Sequence, residues 1–380
     1  MSESDQEPFE VTKSAYIDRR QESEVPEINL LENWQNLFYS LAKVTRASLL
    51  PGSESYRPLA LRTRRAQIFK QIKSNWHTDE ARTSIDEAKI RDKIAFQYLD
   101  QEDISIEFAE LGEQRARFNI IRPPEEVNQH KDPIFLIPGI SNDIDAVGWL
   151  AQELAYQGRK VITIAFPESF LGSVTEEFAN AVENTDSYEP HTSFFMEAIS
   201  KLTADDNSVE LWGFSTGGAI AAEMLQKKAL QDRISKAVLM CPASSADMSA
   251  KQLNFGMGKD GLYLAKNLSD STKYTYTKGR KELLGIEPEL EGQRSLKERI
   301  FNRLLVKVRT KRDSWKAARV TEGGEIVIVS GGQDDITRSR ETFNDKDFVR
   351  NSNPQARLIY LPKLHHVSPL IKPEEVVGIV

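Results

Sequence analysis

The chain has 380 residues, with 50 Lys and Arg against 57 Asp and Glu, so its formal net charge is -7. This acidic balance argues against a protein that binds nucleic acid over much of its surface. The composition is 39% hydrophobic and 28% charged, which is typical of a globular chain with a sizeable core and excludes a disordered or fibrous one. The single cysteine, Cys241, excludes an internal disulfide and a cysteine-based zinc site.

The N-terminal hundred residues divide into two predicted segments. Residues 1–24 are rich in Ser, Glu, Asp and Gln, which predicts a disordered acidic tail. Residues 25–100 contain three stretches with apolar residues at helical spacing, and these predict a helical N-terminal extension. The stretches are Leu31–Val44, Ile68–Trp76 and Ile90–Tyr98. Because the first residues are acidic and no apolar run approaches ~20 residues, we expect a cytoplasmic protein without a transmembrane segment.

From residue 101 the pattern changes to short runs that are typical of β-strands. Runs at Ile104–Glu110 and Ala116–Arg122 predict a hairpin with its turn at Leu111–Gln114. Six further runs consist mainly of consecutive apolar residues, and they predict strands buried on both faces of a parallel sheet. These six are Pro133–Ile137, Lys160–Ala165, Val209–Trp212, Ala237–Met240, Ile326–Ser330 and Arg357–Leu361. Helical patterns at Asp145–Gln157 and Thr216–Lys228 alternate with them, as in an α/β fold.

The alternation stops between residues 245 and 320, where helical patterns predominate. We interpret this segment as a helical cap inserted into a core formed by residues 101–244 and 321–380. Between Lys251 and Arg319 there are 17 Lys and Arg against 8 Asp and Glu, so the cap is positive and the rest of the chain negative. Two interpretations follow. The cations form local ion pairs on solvated helix faces, or they guide an anionic substrate.

The most informative motif surrounds Ser215. Gly213-Phe214-Ser215-Thr216-Gly217 follows a predicted buried strand and precedes a helical pattern rich in small residues. A serine on a tight strand-to-helix turn needs very small residues on both sides, and Gly213 and Gly217 provide them. The helix N-terminus also offers free N–H groups that favour a developing oxyanion. The motif therefore predicts a nucleophile elbow with Ser215 as the nucleophile.

A serine nucleophile requires a general base, and the base requires a carboxylate to orient it. The chain has five histidines, which are His77, His130, His191, His365 and His366. If the order along the chain is serine, acid and histidine, only His365 and His366 remain as candidates.

From about Ile104 to Val380 the sequence resembles the α/β-hydrolase superfamily, and specifically its esterase- and lipase-like serine hydrolases. The segment LPKLHHVSPLIKPEEVV is similar to the family's histidine region, which implies His366 as the base, with His365 as the alternative. The strand IVIVS followed by Gly-Gly-Gln-Asp-Asp resembles the family's acid loop, which implies Asp334, with Asp335 as the alternative.

The resemblance also implies the remaining parts of the site and the fold. The loop Pro138-Gly139-Ile140 takes the place of the family's oxyanion loop, so the backbone N–H groups of Ile140 and Thr216 are the expected oxyanion hole. The implied fold is a mostly parallel eight-stranded α/β-hydrolase sheet flanked by helices, with an inserted helical cap and a helical N-terminal extension.

The expected activity is acyl transfer to water through an acyl-enzyme on Ser215, with a carboxylic ester, thioester or amide as substrate. The expected partner is a small acyl compound, and the positive charge of the cap would suit an anionic one. No metal or organic cofactor is expected. Two alternatives remain open. The same residues could serve an acyltransferase, or the fold could be a catalytically inert binding protein whose N-terminal helices form the interaction surface.

Overall fold

The computed structural model describes residues 102–125, 127, 129–130, 132–140, 144–169, 172–267 and 293–380, together with residues 90, 94 and 97. The predicted acidic tail and the first two predicted helices of the N-terminal extension lie outside these residues. Of the third predicted helix, residues 90, 94 and 97 are helical, and Ile94 is buried.

A single eight-stranded sheet organises the described residues, as the sequence predicts. Its spatial order is β1-β2-β4-β3-β5-β6-β7-β8. The strands are β1 (Glu102–Phe108), β2 (Gly112–Ile121), β3 (Ile134–Ile137), β4 (Val161–Ile164), β5 (Val209–Phe214), β6 (Ile234–Met240), β7 (Glu325–Gln333) and β8 (Ala356–His365). The strand β2 runs antiparallel to β1 and to β4, and all other neighbouring strands are parallel. Each predicted strand corresponds to one of these eight.

The hairpin between β1 and β2 is tighter than the sequence suggests. The predicted turn was Leu111–Gln114, but Phe108 already pairs with Gly112, where β2 begins. Gly112 has a φ of 68°, a conformation that glycine adopts without strain. The Gln114 side chain donates a hydrogen bond of 2.6 Å to the Leu111 carbonyl oxygen, which stabilises the shorter turn.

Helices cover both faces of the sheet. The longer ones are α1 (Gly148–Tyr156), α2 (Glu176–Asn184), α3 (Glu189–Leu202), α4 (Thr216–Met224), α6 (Ala250–Asn267), α7 (Gln293–Val308) and α9 (Lys346–Ser352). The short ones are α5 (Lys228–Gln231), α8 (Ser314–Ala317), α10 (Ser368–Ile371) and α11 (Glu374–Val377), with 3-10 turns at Ile144–Val147 and Ser339–Glu341. No helix in the described part of the chain combines the length and the apolar character needed to span a bilayer.

The central strands are buried on both faces, which explains their continuous apolar sequences. Successive residues of β5 show this, because Leu211 belongs to the core beneath α2, α3 and α4, while Trp212 belongs to the core beneath α1 and α11. Because β3 to β8 run parallel, their carboxyl ends lie at the same edge of the sheet, where residues from distant parts of the chain come together.

Within the predicted cap, residues 245–320, the described residues form α6, α7 and α8 and contain no strand. Helix α7 packs on α2 through ion pairs, in which Arg299 contacts Glu176 and Glu183. Arg303 of α7 lies 2.7 Å from Asp186. Arg299 and Arg303 of the predicted cap are thus paired with carboxylates outside it, rather than with carboxylates of their own helix.

Candidate active site

The turn from β5 to α4 holds Ser215 in a strained and well-supported conformation. Ser215 has a φ of 54°, which is uncommon for any residue other than glycine. Its N–H donates to the Met240 carbonyl oxygen at 2.9 Å. Its own carbonyl oxygen accepts from the N–H groups of Gly218 at 3.0 Å, Ala219 at 3.2 Å and Ala243 at 2.9 Å. These bonds fix the backbone of Ser215 between β6 and α4.

The two glycines flanking the turn allow the backbone segments to approach closely. A Cβ on Gly213 would lie 2.6 Å from the carbonyl carbon of Gly217, and a Cβ on Gly217 would lie 2.5 Å from the Ile137 oxygen. No side chain fits at either position. Because Gly217 packs on the end of β3, the loop that leads to Ile140 begins beside the first turn of α4, where Thr216 lies.

His366 follows β8 and lies against Ser215. Its Nε2 is 3.0 Å from Ser215 Oγ, and its Nδ1 is 3.1 Å from Asp334 Oδ1. The side chains of both His366 and Asp334 are almost completely buried. Burial by itself lowers the pKa of His366, but the charge and hydrogen bond of Asp334 and the charge of Asp260 outweigh it, so the pKa is raised. The imidazole therefore lies between Ser215 and Asp334, and its charged form is more stable than that of a free imidazole.

Asp334 follows β7 and is held by a ring of donors. Its Oδ1 accepts from the N–H groups of Ile336 at 3.1 Å and Thr337 at 3.0 Å. Its Oδ2 accepts from the hydroxyls of Thr337 and Ser339. Burial would raise the pKa of this carboxyl, but the imidazole of His366 and the donors of Thr337 overcome that effect, so the pKa is lowered. Asp334 is therefore a fixed carboxylate.

The alternative residues from the sequence have other partners. The carboxylate of Asp335 lies 2.8 Å from Lys259 Nζ and 2.7 Å from an Arg340 guanidinium nitrogen. His365 Nδ1 lies 3.3 Å from Asp260 Oδ1. The structure thus places His366, and not His365, within hydrogen-bonding distance of Ser215, and it places Asp334, and not Asp335, beside the imidazole of His366.

Cys241 completes a buried group beside the acid. In the described part of the chain, the donor atoms of Cys241, Asp334 and His366 are the one set of potential metal ligands, and they lie within 4.8 Å of one another. Burial and the charge of Asp334 raise the pKa of the Cys241 thiol well above its usual value. That effect disfavours the thiolate that a metal ion requires, while the oxygens of Asp334 already accept four hydrogen bonds. These donors suit proton transfer better than metal binding.

The family described as "alpha/beta hydrolase fold" matches residues 133–339, which is more than half of the chain. The chain belongs to the α/β-hydrolase fold family. The matched residues contain the Ser215 turn and the Asp334 loop.

Two curated proteins are similar to part of this α/β hydrolase. Gut esterase 1 of Caenorhabditis briggsae is 24% identical over 140 residues, and Gut esterase 1 of Caenorhabditis elegans is 26% identical over 141 residues. In both cases the similarity covers 35% of this chain and 25% of the relative. The chain thus spans about a quarter of the length of these relatives.

Solved structures that are similar to this chain include an esterase and a hydrolase. A thermophilic esterase from Thermogutta terrifontis has a TM-score of 0.46 and 17% identity, covering 73% of this chain and 96% of that one. A meta-cleavage product hydrolase from Pseudomonas fluorescens has a TM-score of 0.49 and 14% identity, covering 72% of this chain and 93% of that one.

Proposed function

We propose that this α/β hydrolase is a serine hydrolase that cleaves a carboxylic ester, or a related thioester or amide, through an acyl-enzyme on Ser215. The observation that carries the proposal is the continuous contact from Ser215 Oγ to His366 Nε2 at 3.0 Å and from His366 Nδ1 to Asp334 at 3.1 Å. A serine hydroxyl is a weak nucleophile until a neighbouring base accepts its proton, and this arrangement provides that base.

In the acylation step, Ser215 Oγ attacks the substrate carbonyl carbon while its proton moves to His366 Nε2. Asp334 accepts the Nδ1 hydrogen bond, which selects the required tautomer and stabilises the imidazolium. The negative charge that develops on the substrate oxygen is stabilised by the backbone N–H groups of Ile140 and Thr216. Collapse of the tetrahedral intermediate breaks the bond to the leaving group, which takes the proton from His366.

In the deacylation step, water replaces the leaving group. His366 accepts a proton from water as the water oxygen attacks the acyl carbon, and it then returns the proton to Ser215 Oγ. The products are a carboxylic acid and the free enzyme. The imidazole of His366 thus accepts a proton and then donates it within this step, which is consistent with a base held between Ser215 and Asp334.

Labelling with a fluorophosphonate tests the proposal, because this reagent modifies an activated serine. We expect the wild type and Ser105→Ala to be labelled and Ser215→Ala to be unlabelled. Ser105 is an exposed serine on β1, so Ser105→Ala is a matched control for the loss of one hydroxyl. Turnover of a chromogenic ester series of varied acyl length and charge should show the same dependence on Ser215. An unlabelled wild type, under conditions in which a control hydrolase reacts, would show that the proposal is wrong.

The two alternatives predict different results in these assays. A catalytically inert binding protein predicts no labelling of any variant. An acyltransferase predicts labelling, but its product ratio would change when an alcohol or amine acceptor competes with water. A substrate with negative charge would be recognised in the ester series by a higher kcat/KM that decreases with added salt.

A further inference from the structure

Asp260 is a buried carboxylate in the predicted cap. It lies beside His365 and His366 at the end of β8, a segment that we call the histidine loop. It lies on α6, only 2% of it is exposed, and its Oδ1 is 3.3 Å from His365 Nδ1. Neither of its oxygens forms a well-directed hydrogen bond to another described residue. A buried carboxylate that is poorly compensated is costly, so stability does not explain its presence beside the imidazole of His365.

The same face of α6 also contacts the loop after β7. Gly256, Lys259 and Asp260 are spaced so that they share one face of the helix. Gly256 packs directly on the neighbouring backbone, since a Cβ at this position would lie 2.5 Å from the Asp335 carbonyl carbon. Lys259 Nζ lies 2.8 Å from the Asp335 carboxylate. Helix α6 therefore contacts both the acid loop and the histidine loop.

We propose that Asp260 is a positioning residue for His366. From helix α6 of the predicted cap, Asp260 presents a second carboxylate to the histidine loop. The inference rests on the proposed function and deepens it. In addition to orienting the loop, the carboxylate stabilises the imidazolium that forms when Ser215 loses its proton. A helix of the predicted cap thus takes part in the chemistry through His366.

The titratable groups around Asp260 come from several elements. They are His365 at the end of β8 and His366 after it, Asp334 and Asp335 after β7, Cys241 after β6, and Lys259 on α6 itself. Burial is the largest cause that raises the pKa of Asp260 to about 7, and Asp334 and Asp335 act in the same direction. The charge and the backbone N–H of His366 oppose this increase. Above pH 7 the carboxylate is therefore mostly ionised and acts on His366 as a negative charge.

The sign of the effect on His366 follows directly. The charge of Asp260 raises the pKa of His366, as that of Asp334 does. Asp260→Asn removes the charge with little change of shape, so the pKa of His366 falls. Because the base must be neutral to accept the proton of Ser215, the acidic limb of the kcat/KM profile then moves to lower pH. On the alkaline plateau the imidazolium loses a stabilising charge, and kcat falls about tenfold.

The experiment compares Asp260→Asn with Asp335→Asn in the full chain. Asp335→Asn is a matched control, because it also removes a carboxylate near the site, but one that is paired with Lys259 and Arg340 and is not among the charges that raise the pKa of His366. The first measurement is kcat and KM for a chromogenic ester as a function of pH. The second is the titration of the His366 imidazole by NMR with labelled histidine, assigned with His366→Gln. Thermal unfolding shows that each variant is folded.

We expect Asp260→Asn to move the acidic limb and the His366 titration to lower pH and to change kcat more than KM. Asp335→Asn should leave the limb and the titration in place. If the limb and the titration of Asp260→Asn coincide with those of the wild type, or if Asp335→Asn shifts them equally, the proposal is overturned. The NMR titration does not require turnover. An inactive wild type would therefore contradict the proposed function, while the spectrum would still test the effect of Asp260 on His366.

Discussion

The contact between α6 and the acid loop can be tested with two glycines of the same helix. Gly256 packs on the backbone of Asp335, whereas a Cβ on Gly258 would meet nothing within 4 Å. Gly256→Ala and Gly258→Ala bring the same gain in helix propensity, about 1 kcal/mol. They differ in whether the new methyl group has room, so the difference between the two variants isolates the contact.

The magnitude follows from the geometry. The methyl group of Gly256→Ala would be 2.5 Å from the Asp335 carbonyl carbon and 2.8 Å from the Ile336 nitrogen. Helix and loop must therefore separate by about 1 Å to restore ordinary van der Waals contact. Overpacking of this kind costs about 1–3 kcal/mol. We expect Gly258→Ala to be as stable as the wild type or up to ~1 kcal/mol more stable. Gly256→Ala should be less stable than Gly258→Ala by about 1–3 kcal/mol.

Activity should follow the same difference, because the loop that moves also carries Asp334. A misplacement approaching 1 Å in a catalytic group can cost ~100-fold, so we expect kcat of Gly256→Ala to fall between about 10-fold and 100-fold. Gly258→Ala should keep wild-type kcat. Denaturant unfolding and ester turnover measure the two quantities. Equal stability and equal kcat in the two variants would refute the docking of α6 on the acid loop.

The remaining predictions concern Asp334 and Lys307. Asp334→Asn should lower kcat on the order of 10⁴-fold, because the amide no longer selects the correct imidazole tautomer. Asp335→Asn should change kcat less than about threefold. Equal losses of kcat in the two variants would show that Asp334 is not the acid. Burial, as the main cause, lowers the pKa of Lys307 to about 8 from 10.5. The folded state therefore binds this proton less tightly than the unfolded state. In denaturant titrations, the free energy of unfolding of the wild type relative to Lys307→Met should rise by up to ~3 kcal/mol between pH 8 and 10.5. A free-energy difference that stays constant across that range would contradict the prediction.

The strands and the serine turn could be predicted because their signals are local. A continuous apolar run such as Ile134–Ile137 has one stable environment, a strand covered on both faces, and every described strand has such a signal or lies in the hairpin. The turn at Ser215 was visible because steric crowding requires both Gly213 and Gly217 within five residues. Local constraints of this kind appear in the sequence as residue choices.

The surroundings of the site could not be predicted because they depend on contacts between distant segments. The sequence left Asp334 and Asp335, and likewise His365 and His366, as adjacent candidates that only tertiary packing distinguishes. Nothing in the pattern around Asp260 indicates that it lies beside the histidine loop. Lys307 is a further example, since a lysine is usually exposed, yet its ammonium group is buried and donates to the carbonyl oxygens of Val182 and Ser187.

The wide separation of Ser215 and His366 along the chain, 151 residues, has a consequence for biosynthesis. Ser215 and Asp334 are synthesised before His366, and β8 joins the sheet through a parallel pairing with β7. Under the proposed mechanism, a nascent polypeptide that has not yet reached residue 366 has a nucleophile without its base. We therefore expect it to show no ester turnover until the end of β8 is in place.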